Sequence, residues 1–150
     1  MLVQGRWLLC DDGIIRPIIE GEVLSASGTW SPLELLVDIG ADRTVFTSDL
    51  LKSLGLPLLP AHQLGGIGGA ATTVAVATHL RFPESAGGSL TVESTYAAFT
   101  DPEALDMSVL GRDIMKLFAV IVDEPGNLVC LIGKGHRYHE GCVSLTCTPA

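Results

Sequence analysis

Leu35-Leu36-Val37-Asp38-Ile39-Gly40-Ala41-Asp42-Arg43-Thr44-Val45-Phe46 carries the most information in this chain. The run Leu33-Glu34-Leu35-Leu36-Val37 reads as a short, nearly continuous buried strand. Asp38 follows it directly, so its carboxylate sits near a low-dielectric core, a costly place unless a partner or a function compensates. Gly40 allows the backbone to turn sharply and another chain to approach closely. Thr44-Val45-Phe46 then resumes β character. An acid at a strand end is by itself a turn former or a catalytic group, and only its surroundings separate the two.

Outward from this turn the chain reads as strands punctuated by Gly and Pro. Ile14 to Leu24 is a β segment with Pro17 near its start, where a missing N–H is tolerated. Thr47 to Leu54 predicts a short helix with a Thr or Ser N-cap, stopped by Gly55 and Pro57. Leu64 to Ala77 has central glycines and β-branched residues after them, the pattern of a hairpin. Ala77 to Phe82 and Leu90 to Phe99 are two further strands, on which His79 is a simple strand residue, as His62 is a loop residue. Gly111 to Phe118 has helical spacing, and Phe118 to Val122 and Leu128 to Ile132 flank the turn Glu124-Pro125-Gly126-Asn127. The expectation is a mainly β domain with one or two short helices over residues 1–132, followed by a polar tail over 133–150.

The 150 residues suffice for one domain. Lys and Arg number 9 against 17 Asp and Glu, a net charge of −8. That balance argues against nucleic acid, which demands clustered cations, and against an anionic membrane surface. Charged residues make up 17% and the mean hydropathy is +0.42, against roughly 25% charged residues in ordinary domains. Disorder is excluded, and the surplus apolar surface calls for a partner or a groove to cover it. No stretch approaches the roughly 20 apolar residues of a membrane-spanning helix. The start is too short and too soon acidic for a signal peptide, so a cytoplasmic location is expected. There Cys10, Cys130, Cys142 and Cys147 are expected as free thiols.

Three separated blocks, in order, resemble the retropepsin-like aspartic proteases, the single-domain family of retroviral proteases and bacterial relatives. Val37-Asp38-Ile39-Gly40-Ala41-Asp42 is similar to the family's Asp-Thr/Ser-Gly-Ala turn. Gly65-Gly66-Ile67-Gly68-Gly69 looks like the tip of its flap, and Val109-Leu110-Gly111-Arg112-Asp113-Ile114 resembles the block that opens its C-terminal helix. The glycine block alone would be an ordinary hairpin turn; it is no phosphate cradle, since no Gly-Lys-Ser/Thr follows. The resemblance runs from about Pro17 to Ile132. It implies a closed acid-protease β-barrel that forms one lobe per chain, with no cofactor and no metal.

The chemistry of that family needs two carboxylates that share a proton and activate a water between them. The chain reads as offering one Asp-x-Gly turn, at Asp38, and no second copy, so the resemblance implies a homodimer with one Asp38 from each chain on the two-fold axis. It implies Asp38 as the catalytic residue. Gly40, Ala41, Asp42, Val45 and Val109 would line the substrate cleft, and Gly65, Gly66, Ile67 and Gly68 would cover an extended peptide. Gly111 and Arg112 would be structural, Arg112 pairing with Asp42. The departure is Ile39, which stands where the family has Thr or Ser. Ile neither donates nor accepts, so the brace that a hydroxyl gives between two catalytic loops is absent. This motivates the alternative of a catalytically weak or silent dimeric peptide-binding module. His136, His139, Cys142 and Cys147 are of zinc-ligand type, but their spacing matches no standard finger. The tail is therefore read as dimer-packing or flexible, with a metal-binding regulatory domain as a third reading.

Overall fold

The computed structural model describes residues 1–60, 64–66, 69–71 and 73–133. His62, Ile67, Gly68 and the tail with His136, His139, Cys142 and Cys147 lie outside the described residues.

The strands are β1 (Leu2–Leu9), β2 (Ile15–Leu24), β3 (Trp30–Val37), β4 (Val45–Phe46), β5 (Leu59–Pro60), β6 (Leu64–Gly66), β7 (Gly69–Ala71), β8 (Thr73–Pro83), β9 (Ser89–Phe99), β10 (Val109–Leu110), β11 (Ala119–Asp123) and β12 (Leu128–Ile132). The two helices are α1 (Ser48–Leu54) and α2 (Arg112–Met115). The main sheet runs β11-β12-β1-β2-β3-β10-β4-β9-β8-β5, and a further β2–β8 pairing joins strands distant in that order. Strands β2, β3, β10, β4, β9 and β8 thus form a closed ring, the barrel that the sequence led us to expect. Closure rests on Glu22 opposite Arg81 and Val23 opposite Leu80. Arg81 also donates to Glu22 and lies over the Trp30 ring, which ties the seam on its outer face.

The core fills this ring. Ile19, Val23, Leu35, Phe46, Val76, Leu80, Phe82, Tyr96 and Leu110 are fully buried, each worth about 1.5–3 kcal/mol of burial on transfer from water. The Phe46 and Tyr96 rings meet at 5.3 Å between centroids. Burial also pushes the Tyr96 hydroxyl's pKa up, with the charge of Asp113 adding to it. That hydroxyl stays neutral and donates to the Val92 carbonyl.

Local signals place the ends of α1. Thr47 caps it by accepting from the Leu50 amide, and Gly55 ends it at φ 60°, a conformation in which a side chain would be strained. The β11–β12 turn falls at Glu124–Asn127, where the Asn127 amide donates to Glu124. Two features differ from the sequence reading. Strand β3 is not buried on both faces: Leu33, Leu35 and Val37 point inward, whereas Glu34 is exposed and Leu36 half-buried. Strand β1, unread in the sequence, pairs with both β2 and β12 and carries the C-terminal hairpin against the ring. Among the described residues no helix is long and apolar enough to cross a membrane.

Candidate active site

The segment between β3 and β4 is held from three sides. On the strand side, the Asp38 amide donates to the Leu110 carbonyl at 3.3 Å, extending the parallel β3–β10 pairing by one step. Within the turn, the Gly40 amide donates to Asp38 Oδ1 at 2.9 Å and the Ala41 amide to the Asp38 carbonyl at 3.1 Å. From the helix side, the Arg112 amide donates to Ala41 (2.9 Å) and the Asp113 amide to Asp42 (3.2 Å). The first amides of a helix have no partner inside it, and here the turn carbonyls satisfy them.

The far end of the turn is pinned by a buried network. Thr44 is fully buried. Its amide and its hydroxyl both donate to Asp113 Oδ1 at 2.8 Å, and its hydroxyl oxygen accepts from the Gly111 amide at 3.1 Å. Asp113 Oδ1 also accepts from the Ile114 amide at 3.0 Å. Gly111 packs so closely that a Cβ there would lie 2.1 Å from the Arg43 carbonyl carbon and 2.6 Å from the Thr44 nitrogen. Glycine is therefore required at this position by contact with backbone, not by its own dihedrals.

These contacts leave Asp38 half-buried at the rim, with its Oδ1 bonded to the Gly40 amide. Beside it, Ile39 is 73% exposed, the most exposed of the large hydrophobic residues described. Gly40 and Asp42 are exposed and Ala41 is half-buried. Val45 and Val109 pair across β4 and β10 and are almost fully buried. Arg112 forms an ion pair with Asp42, and both side chains are largely exposed. Gly65 and Gly66 lie on β6, where Gly66 pairs with Gly69 of β7; Ile67 and Gly68 are the two outside the described residues.

The structure thus gathers Asp38, Ile39, Gly40, Ala41, Asp42, Gly111 and Arg112 around one turn. Contrary to the reading of one Asp-x-Gly turn, a second such tripeptide, Asp11-Asp12-Gly13, forms the exposed hairpin between β1 and β2, and its Asp12 is engaged by Arg16. It provides no second site within the chain. Among the described residues no group of three or more His, Cys, Asp or Glu side chains is placed to hold a metal. Sequence reasoning missed the roles of Thr44 and Asp113. The available signal was an acid in the first turn of a helix, where the N-terminal dipole favours it, but its partner lies 69 residues away.

A family model described as aspartyl protease matches residues 21–114. Among solved structures, a retropepsin-like aspartic protease from Rickettsia conorii aligns with a TM-score of 0.56 at 15% identity, over 87% of this chain and 88% of that one. An EIAV protease complexed with the inhibitor HBY-793 aligns with a TM-score of 0.49 at 24% identity, over 67% of this chain and 86% of that one. No curated protein matches.

Proposed function

Because this chain belongs to the aspartyl protease family, we propose that it acts as a homodimeric endopeptidase whose site is completed by Asp38 of a second copy. The observation that carries this reading is the Asp38 turn, a half-buried carboxylate at a strand end, fixed through one oxygen by the Gly40 amide. Two such carboxylates facing each other cannot both ionise easily, so one keeps a proton. The ionised one takes a proton from the water between them, and that water attacks the peptide carbonyl carbon. The protonated one gives its proton to the carbonyl oxygen. The carboxyl that took the water's proton then passes it to the amide nitrogen, the C–N bond breaks, and a diol hydroxyl returns a proton to the pair. The resulting pH profile belongs to the pair, not to either Asp38.

In this reading Gly40 meets the substrate backbone, Ala41 and Asp42 flank it, and Val45 and Val109 floor the cleft. Gly65, Gly66, Ile67 and Gly68 form the flap over an extended peptide, with the Ile67 amide reaching the substrate. Arg112 and Gly111 hold the turn. Ile39 supports a dimer from the apolar side: 73% exposed beside Asp38, it meets its twin across the two-fold axis and replaces a hydrogen-bonded brace by buried hydrocarbon. Extended-peptide cleavage at mildly acidic pH, sensitive to pepstatin and abolished in Asp38→Asn, is the expected result. Peptide binding without turnover from pH 3 to about 7, the range around carboxyl pKa values, would favour the second reading, a silent peptide-binding module motivated by Ile39.

A further inference from the structure

The strand that delivers Asp38 also floors a cavity. The Leu36 amide donates to Ser108 at 2.9 Å and the Asp38 amide to Leu110 at 3.3 Å. The ladder keeps its two-residue step into the turn, so Leu36 and Asp38 project to the same side, opposite Val37. On that side Leu36 lines a cavity of about 800 Å³, a size within the range of ligand pockets. Leu8, Leu9, Pro102, Leu105 and Met107 add to its apolar part.

Its polar lining is acidic. Asp11, Asp12, Asp49 and Asp106 contribute carboxylates, and Arg16 is the one cation among the lining residues. Asp12 already holds that guanidinium through two oxygens, at 2.9 and 2.5 Å. Asp49 lies 3.7 Å from the exposed Lys52. Asp11 and Asp106 have no ion-pair partner among the described residues. A long side chain with an apolar stem and a positive head matches this combination, since such residues lay their methylenes on hydrocarbon and keep the charge at the polar edge.

We propose that this cavity is a specificity pocket adjoining the scissile bond and that it selects lysine or arginine in the substrate. The inference rests on the endopeptidase reading for the meaning of substrate, and its test separates the two. Peptide pairs identical except for lysine or norleucine at one position, scanned along the sequence, are bound to the wild type and to Asp38→Asn, and cleavage by the wild type is followed in parallel. At one position the lysine peptide is expected to bind about fivefold tighter, the scale of one or two exposed charge pairs, with the preference fading in 1 M salt. The double variant Asp11→Asn/Asp106→Asn, whose carboxylates are exposed, is expected to fold normally and to lose the preference. Lysine preference without cleavage would uphold the pocket and sink the endopeptidase reading. Cleavage indifferent to charge at every position would sink the pocket and leave the endopeptidase. No peptide binding, or a double variant that changes the oligomeric state while leaving the preference intact, would also overturn the pocket.

Discussion

Replacing Gly111 by alanine puts a methyl group where the backbone of the Asp38 turn already runs. The new Cβ would lie 2.1 Å from the Arg43 carbonyl carbon and 2.3 Å from its oxygen, whereas ordinary contacts begin near 3.4 Å. Because the obstacle is backbone, no side-chain rotation relieves it, and α2 or the segment 43–44 must shift by more than an ångström. Overpacking of this kind costs about 1–3 kcal/mol. The same shift stretches the Gly111 amide from Thr44, a buried hydrogen bond worth about 1 kcal/mol. We expect a total near 3 kcal/mol, or a Tm lower by about 6–12 °C for a chain of this length. Asp38 lies on the same turn, and an ångström of misplacement at a reacting group costs about 100-fold in rate. The pair of assays is urea unfolding and peptide turnover at saturating substrate. A variant within 0.5 kcal/mol of the wild type, with undiminished turnover, would refute the claim that this contact positions the turn.

Thr44→Val removes the hydroxyl that links Asp113 to Gly111 and should destabilise by about 1–3 kcal/mol by orphaning the buried Gly111 amide, since Asp113 keeps the Thr44 and Ile114 amides; equal urea midpoints would contradict this. Ile39→Asp should leave the folding of the chain almost unchanged, because the side chain is exposed, yet raise the dimer dissociation constant in sedimentation by more than tenfold through charge burial. An unchanged constant would remove Ile39 from the interface. Asp12 is lowered to about 2 from 3.8, first by the Arg16 hydrogen bond and then by the Ile14 amide. A depressed carboxyl stabilises the folded state above its unfolded value and loses that contribution as pH falls through the folded one. Acid unfolding should therefore carry a small, salt-sensitive component between pH 3.8 and about 2 that Asp12→Asn lacks, and an Asp12 carboxyl titrating near 4 by NMR would contradict it. Arg112→Ala should cost under about 1 kcal/mol, since both it and Asp42 are largely exposed in the single chain; a larger loss in the dimer than in the monomer would show that the partner covers the pair.

What the sequence made legible is what short-range chemistry writes. The Asp38 turn, the Thr47 and Gly55 caps and the Glu124–Asn127 turn each depend on residues within a few positions of one another, and all lie where composition placed them. The block Val109–Ile114 was recognisable, and so was the pairing of Arg112 with Asp42, but not the task of Asp113. Strand β10 is two residues long, and only its insertion between β3 and β4 makes it a strand. The same distance hid the Thr44–Asp113 network and the β2–β8 seam, which are products of closure and carry no local periodicity. Leu36 was read as core because Leu and Val stand on either side of it. Its half-exposure follows from the one-sided packing of β3 inside the ring, which leaves the other face to the cavity and to Asp38.

Subunit mixing tests most directly whether two copies of Asp38 make one site. Wild-type and Asp38→Asn chains are mixed in equal amounts, allowed to re-equilibrate, and assayed for peptide cleavage against pure wild type at the same total chain concentration. If a site needs Asp38 from both copies, about one quarter of the activity remains, because only wild-type pairs are competent. About one half remaining would mean that each chain works alone, and would contradict the shared site.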